Sequence, residues 1–292
     1  LAGYVRTQIA IAAMTALVVL GFFVLSCVWY RPRILWGIAL IVFATDQWVA
    51  CRRLNPTMPH AEAYPPTKLT DYMQAKAPPV RFAVAEAAIP SGSVGNYGIE
   101  EWLGYDGLYP ERVMQFQDEF GPEIWKNAEP LRSIDYILHD PAPELEPLFP
   151  LEDMLESGAI ELETTIDDLN VYRNVKAFPR ASLVGGLRVI PDRDALFEEM
   201  MSDEFKPETS VFAMDAPEHS LPEAASERPG TARVVEYGRT RVVVDVDAEA
   251  DGVLVLTDAY YPGWQAYVDG EPVETFQAYS AFRCGTVHAG GL

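Results

Sequence analysis

Four large aromatics fall within eight positions of the stretch TDAYYPGWQAYVDGEPV (residues 257–273): Tyr260, Tyr261, Trp264 and Tyr267. Exposed rings at that density could form a sugar-binding platform, whereas inward-facing rings would form the core of a β-sheet. Strand alternation sets Trp264, Ala266 and Val268 on one face and Gln265, Tyr267 and Asp269 on the other. Trp264 then shares its face with small apolar residues and reads as core, with Pro262-Gly263 bending the chain to aim the ring inward. Tyr260, Tyr261 and Tyr267 remain candidates for surface contact with a sugar. A second candidate is Gly104-Tyr105-Asp106. Tyr105 and Asp106 read either as an acceptor-facing loop or as a turn in which Asp106 caps a helix starting near Pro110.

Other chemistry finds no purchase. His60, His139, His219 and His288 are scattered, none with a ligand-spaced neighbour. Cys27, Cys51 and Cys284 make neither a disulfide framework nor a CxxC pair. No GxSxG elbow, GxxxxGK[ST] loop or HExxH helix occurs. Glycines 92, 95 and 98 in PSGSVGNYG lack the strand-to-helix frame of a nucleotide loop. Carboxylates are so numerous that no pair singles itself out as a glycosidase couple. The expectation is therefore no metal and no cofactor.

The 292 residues carry a net charge of −21. Residues 1–60 hold five arginines against Asp46 alone, leaving 17 basic and 42 acidic residues to the rest. Such a body cannot grip a nucleic-acid backbone, which needs clustered cations. The 17 arginines against 5 lysines fit a salt-rich habitat or a GC-rich genome. Leu1 in place of Met, and an end at HAGGL just after a strand-like run, read as a fragment of a longer polypeptide.

The elements that would position these groups fall into three regions. Residues 7–30 are uncharged and reach about 36 Å as a helix, enough for a ~30 Å hydrocarbon layer. After the short RPR turn, residues 34–51 form a second apolar run. Residues 1–53 thus read as two transmembrane helices. A signal peptide would not be followed at once by a second span, and a second span leaves lipidation at Cys27 without purpose. Asp46 is the one intramembrane charge: an ion or headgroup contact, or a side chain reaching the interface beside Trp48, Arg52 and Arg53. Residues 54–69 are a Pro-rich linker. Residues 70–206 mix strands (80–87, 133–139, 159–165, 168–175) with helices (108–120, 151–158, 191–205) and predict an α/β extracytoplasmic domain. Residues 207–292 alternate apolar and polar with short turns, including an Asp269-Gly270 hairpin turn, and predict an antiparallel β-sandwich incomplete at its C-terminus. The fold class is α+β, multi-domain and membrane-anchored.

Several blocks together resemble one family. DQWVACRRLNPTMPHAEAYPPT (46–67) is similar to its last-span exit, and NYGIEEWLGYDGLYPERVMQF (96–116) to its Gly-Tyr-Asp-x-Leu-x-Pro block. KAFPRASLVG (176–185), then GVLVLTDAYYPGWQAYVDGEPV (252–273) with YSAFR (279–283), are similar to the later blocks. The chain thus resembles the YfhO-type bacterial membrane proteins, relatives of GT-C glycosyltransferases. The resemblance covers essentially the whole chain. It implies a multi-pass protein of the cell membrane that moves a sugar from a polyprenyl-phosphate carrier onto a cell-envelope polymer. GT-C catalytic acids lie in an early external loop that nothing here matches, so the parent would be the enzyme and this fragment non-catalytic. The implied partners are the lipid bilayer, the polyprenyl-linked sugar and an envelope glycopolymer. Cys284, Gly285 and His288 depart from the family's F-R-G/A-V-x-V-P-A-G pattern. An oligosaccharyltransferase would carry Trp-Trp-Asp-Tyr-Gly, which EWLGYDG (101–107) does not match. The alternative function is a non-catalytic, membrane-tethered carbohydrate-binding or scaffolding domain.

Overall fold

A computed structural model describes residues 17, 19–21, 23–25, 27, 32–54, 58–76, 79–85, 89, 92–102, 111, 113, 116, 129–142, 150–215, 217, 221–223 and 228–290. The chain forms two compact units, Leu1–Pro65 and Pro66–Leu292.

In the first unit, helix α1 spans Pro32–Leu54 and a single turn, α2, spans His60–Ala63. Apolar side chains of α1, among them Trp36, Leu40, Ile41, Phe43 and Trp48, are exposed. The transmembrane hairpin predicted from the sequence is corrected here: among the described residues no helix is long and apolar enough to cross a membrane. The uninterrupted apolar run of α1 is residues 34–44, which rises only about 16 Å against a ~30 Å hydrocarbon core. Thr45-Asp46-Gln47 then breaks it, so Asp46, expected as a lone charge within the span, instead ends the apolar run. The Thr45 hydroxyl donates back to the Ile41 carbonyl at 2.8 Å, and Asp46 is exposed. The multi-pass membrane localisation loses its basis with the hairpin, and so does the extracytoplasmic placement of the body. Much of the first expected span, including residues 7–16 and 28–30, lies outside the described residues.

The second unit opens with helix α3, Lys68–Ala75, capped by Thr67 in a reciprocal capping box with Thr70. Its first sheet contains β1 (Arg81–Val84), β2 (Glu100–Glu101), β3 (Tyr136–His139), β4 (Ile160–Ile166) and β5 (Leu169–Asn174). The order is β2-β1-β3-β5-β4. Both β2 and β3 run parallel to β1, while β5 is antiparallel to β3 and β4. Alternate residues serve opposite faces. Phe82, Val84, Leu138 and Val171 pack with Leu69 and Met73 of α3. Ala83, Ile137 and Tyr172 pack with Leu151 and Met154 of α4, Leu151–Glu156. A sheet covered on both sides explains why β1 is buried throughout.

The second sheet contains β6 (Ala181–Val184), β7 (Leu187–Val189), β8 (Val211–Ala213), β11 (Gly252–Ala259), β14 (Thr275–Ala278) and β15 (Phe282–Val287). Its order is β6-β11-β15-β14-β8-β7. Every pairing is antiparallel except β7 with β8. Helix α5, Arg193–Met201, starts where the Asp192 side chain accepts from the Ala195 amide at 2.9 Å. It drives Leu196, Phe197 and Met200 into a core shared with Phe205, Phe212, Phe276, Phe282 and Tyr279. Buried Tyr279 donates its hydroxyl to the Ser210 carbonyl at 2.9 Å. Cys284 is buried in the same core, its thiol donating to the Phe276 carbonyl at 3.2 Å.

Two ribbons complete the unit: β9 (Gly230–Tyr237) with β10 (Val242–Ala248), and β12 (Ala266–Val268) with β13 (Glu271–Val273). Asp269 at φ 51° and Gly270 at φ 95° form the two-residue turn of the second, as its Asp-Gly sequence predicts. The predicted fold class is otherwise overturned. The described chain consists mainly of β-sheets with a few short helices. The six-stranded sheet is mixed rather than an antiparallel sandwich, and it recruits β6 and β7 from the region expected to form a separate α/β domain. β6 is buried at every position, so it carries no alternation from which its partner could be read.

Candidate ligand-binding cleft

The two sheets meet around three guanidiniums and two carboxylates. Arg81 opens β1 and Glu100 opens β2, both on the first sheet. Arg180 immediately precedes β6, Asp258 lies near the end of β11, and Arg283 is on β15 of the second sheet. Tyr237 ends β9. The register of β11 against β15 shifts between Leu256 and Ala259, and the successive residues Thr257 and Asp258 are both buried there. An irregularity of this kind re-aims side chains that regular alternation would send to opposite faces.

Asp258 is the centre of the network. Its Oδ1 accepts from Arg180 Nη2 at 2.5 Å and from the Tyr237 hydroxyl at 3.0 Å, and its Oδ2 accepts from Arg283 Nη2 at 2.5 Å. Arg180 Nη2 also reaches Glu100 Oε1 at 2.8 Å. Arg81 donates from Nε and Nη2 to the same Glu100 oxygen at 3.0 and 2.8 Å, and from Nη1 to the Arg132 carbonyl at 2.5 Å. The Thr257 carbonyl accepts from Arg81 and Arg180, and the Thr257 hydroxyl pairs with Ser133 at 2.8 Å. Burial raises Glu100 above the usual carboxylate range, against the lowering pull of Arg81. Burial likewise lifts the Tyr237 phenol, and the charges of Glu100 and Asp258 push it further up. Burial lowers Arg283, and Asp258 opposes that shift.

Beside the network lies a cleft of about 850 Å³, within the size range of small-molecule sites. Tyr97, Trp102, Tyr237 and Trp264 line it, together with Arg239 at the turn of the β9–β10 ribbon and Arg283. The guanidinium of Arg283 sits 4.0 Å from the centroid of the Trp264 ring, and that of Arg81 sits 5.0 Å from Trp102. Among the described residues, no three His, Cys, Asp or Glu side chains form a group that could hold a metal ion.

Trp264 is therefore half-buried on the wall of the cleft rather than in the core. β12 begins only at Ala266, so the alternation used to aim Trp264 inward does not reach it. Tyr260 is half-buried, and Tyr261 and Tyr267 are exposed; none of the three lines the cleft. Tyr105 and Asp106 lie outside the described residues. Asp46 belongs to the other unit. Sequence reasoning missed Arg81, Glu100, Arg180, Tyr237, Asp258 and Arg283. For Arg81, Asp258 and Arg283 the signal was a lone charge inside a short apolar strand, in VRFAV, LTDAY and AFRCG; Glu100, Arg180 and Tyr237 carried no such signal.

Comparison of the chain with protein-family models, with curated proteins and with solved structures gives no match. The class stands on the geometry: a β-rich unit in which two mixed sheets are joined by a buried ionic network beside an aromatic-walled cleft.

Proposed function

We propose that the second unit binds carbohydrate in this cleft, as a non-catalytic portion of a larger glycosyltransferase acting on cell-envelope polymers. The observation that carries the reading is the lining: aromatic side chains, Tyr97, Trp102, Tyr237 and Trp264 among them, beside carboxylates and guanidiniums in one concave site. Rings supply apolar faces for a sugar's C–H surface, and the charged groups supply acceptors and donors for its hydroxyls. The sequence resemblance to YfhO-type proteins supports the parent activity, with a polyprenyl-phosphate sugar as donor. The carboxylates of the network are engaged by arginines, which suits binding and positioning better than turnover. Calorimetric titration of the chain with a panel of oligosaccharides tests the proposal. At least one should bind, and Trp264→Ala should weaken it by about two- to tenfold, since one stacked ring contributes about 0.5–1.5 kcal/mol. Binding that ignores Trp264, or no binding by any saccharide, would overturn it and favour a scaffolding role.

A further inference from the structure

We infer that the saccharide taken by this cleft carries an anionic group, received by Arg283 and Arg239. The inference rests on the carbohydrate reading and follows from counting donors. An arginine has five N–H groups. Arg81 uses Nε, Nη1 and Nη2 within the network. Arg283 commits only Nη2, to Asp258 Oδ2, and its Nε is buried with no partner. Arg239 lines the same cleft and is exposed; among the described residues it makes no hydrogen bond or ion pair.

Cations elsewhere in this chain are heavily outnumbered, 22 against 43 acids. Glu100 Oε2 and Glu101 Oε1 are also buried without a partner in this cleft, so the unmatched groups of β2 are acceptors and the unmatched donors that an oxyanion would meet are those of Arg283 and Arg239. The planar fork of arginine fits a carboxylate or a phosphate through two parallel hydrogen bonds. The arrangement also has a direction. Glu100 and Glu101 belong to the first sheet, whereas Arg283 belongs to the second sheet and Arg239 to the β9–β10 ribbon. A sugar ring against Trp264 would lie beside the Arg283 fork that already stacks on that indole. Its anionic substituent would meet Arg283 and Arg239, while its hydroxyls would face the acids of β2.

The shared chemistry is an oxyanion on a sugar, and either a uronate carboxylate or a phosphate ester supplies it. The test is calorimetric titration of the 292-residue chain with four probes. These are a neutral glucose disaccharide, a glucuronate-containing disaccharide, glucose 6-phosphate and inorganic phosphate alone. An acidic sugar should bind about tenfold tighter than the neutral one, the worth of one charge-assisted contact. The ratio should shrink as sodium chloride is added. Arg239→Gln should bring it towards one, and Arg239→Lys should keep only part of it, because lysine supplies the charge without the fork. Whichever acidic sugar is preferred identifies the source of the oxyanion. Equal affinity for neutral and acidic sugars would overturn the inference while leaving the carbohydrate reading in place. Inorganic phosphate binding as tightly as glucose 6-phosphate would overturn it too, because the sugar would then contribute nothing. No binding by any saccharide would remove the underlying reading and this inference together.

Discussion

Glu100 is held by Arg81 and Arg180, yet burial, aided by the Asp258 charge, raises its proton affinity against the lowering pull of Arg81. A carboxyl that binds its proton more tightly folded than unfolded gives the native state the higher proton count. Its contribution to stability is then lost as pH rises from the ordinary carboxylate range through the raised pKa. Burial also raises Glu101 and Asp135, so the three acids act in the same sense. Glu163 opposes them: its hydrogen bond from Lys76 lowers it, and its contribution is lost as pH falls. Comparison of Glu100→Gln with the parent chain isolates one member. Denaturant titrations from about pH 4 to pH 7 should show the variant gaining stability relative to the parent as pH rises. A constant difference across that range would mean that Glu100 does not titrate there. At this scale the sequence was least legible. Arg81, Arg180 and Asp258 lie far apart along the chain, and only the pairing of strands brings their charges together.

Single elements were far easier to read, because their causes are local. The Asp192 cap, the apolar face of α5 and the Asp269-Gly270 turn follow from side-chain hydrogen bonding, helical period and left-handed backbone preference. β3, β4 and β5 fall close to the strands expected at 133–139, 159–165 and 168–175, and β9, β10 and β11 lie in the alternating stretch that follows residue 207. The β9–β10 ribbon depends on one position that such patterns cannot reveal. Gly230 has φ 152°, and a Cβ there would meet the Asp247 carbonyl oxygen at 1.9 Å. Backbone cannot retreat cheaply from such a contact, so Gly230→Ala should cost about 2 kcal/mol or more in chemical denaturation. A neutral result would mean that the ribbon pairs differently at its base.

The whole molecule carries 21 net negative charges, and like charges crowded onto one surface oppose compaction. Salt shortens the range of that repulsion, to about 10 Å at 0.1 M. The network around Asp258 is shielded from salt by burial, with its side chain only 8% exposed. The melting temperature should therefore rise between about 0.02 and 0.5 M sodium chloride; a fall would show that salt-sensitive attractions outweigh the repulsion. At this scale the sequence misled in two ways. Counting apolar residues through Asp46 and Gln47 made a membrane span of α1, and the change of character near residue 207 suggested a boundary that the six-stranded sheet crosses. Both errors came from treating composition along the chain as a guide to partners in space.

The Cys284 thiol gives the six-stranded sheet a clock. Cys27 and Cys51 are exposed and Cys284 is buried, with burial also raising its pKa far above the ordinary thiol value. Only the thiolate reacts with an alkylating reagent. Two cysteines should therefore be modified promptly, and the third only when β14 and β15 part. The lag before the third modification measures how often that sheet opens in the native protein, with no substitution and no denaturant.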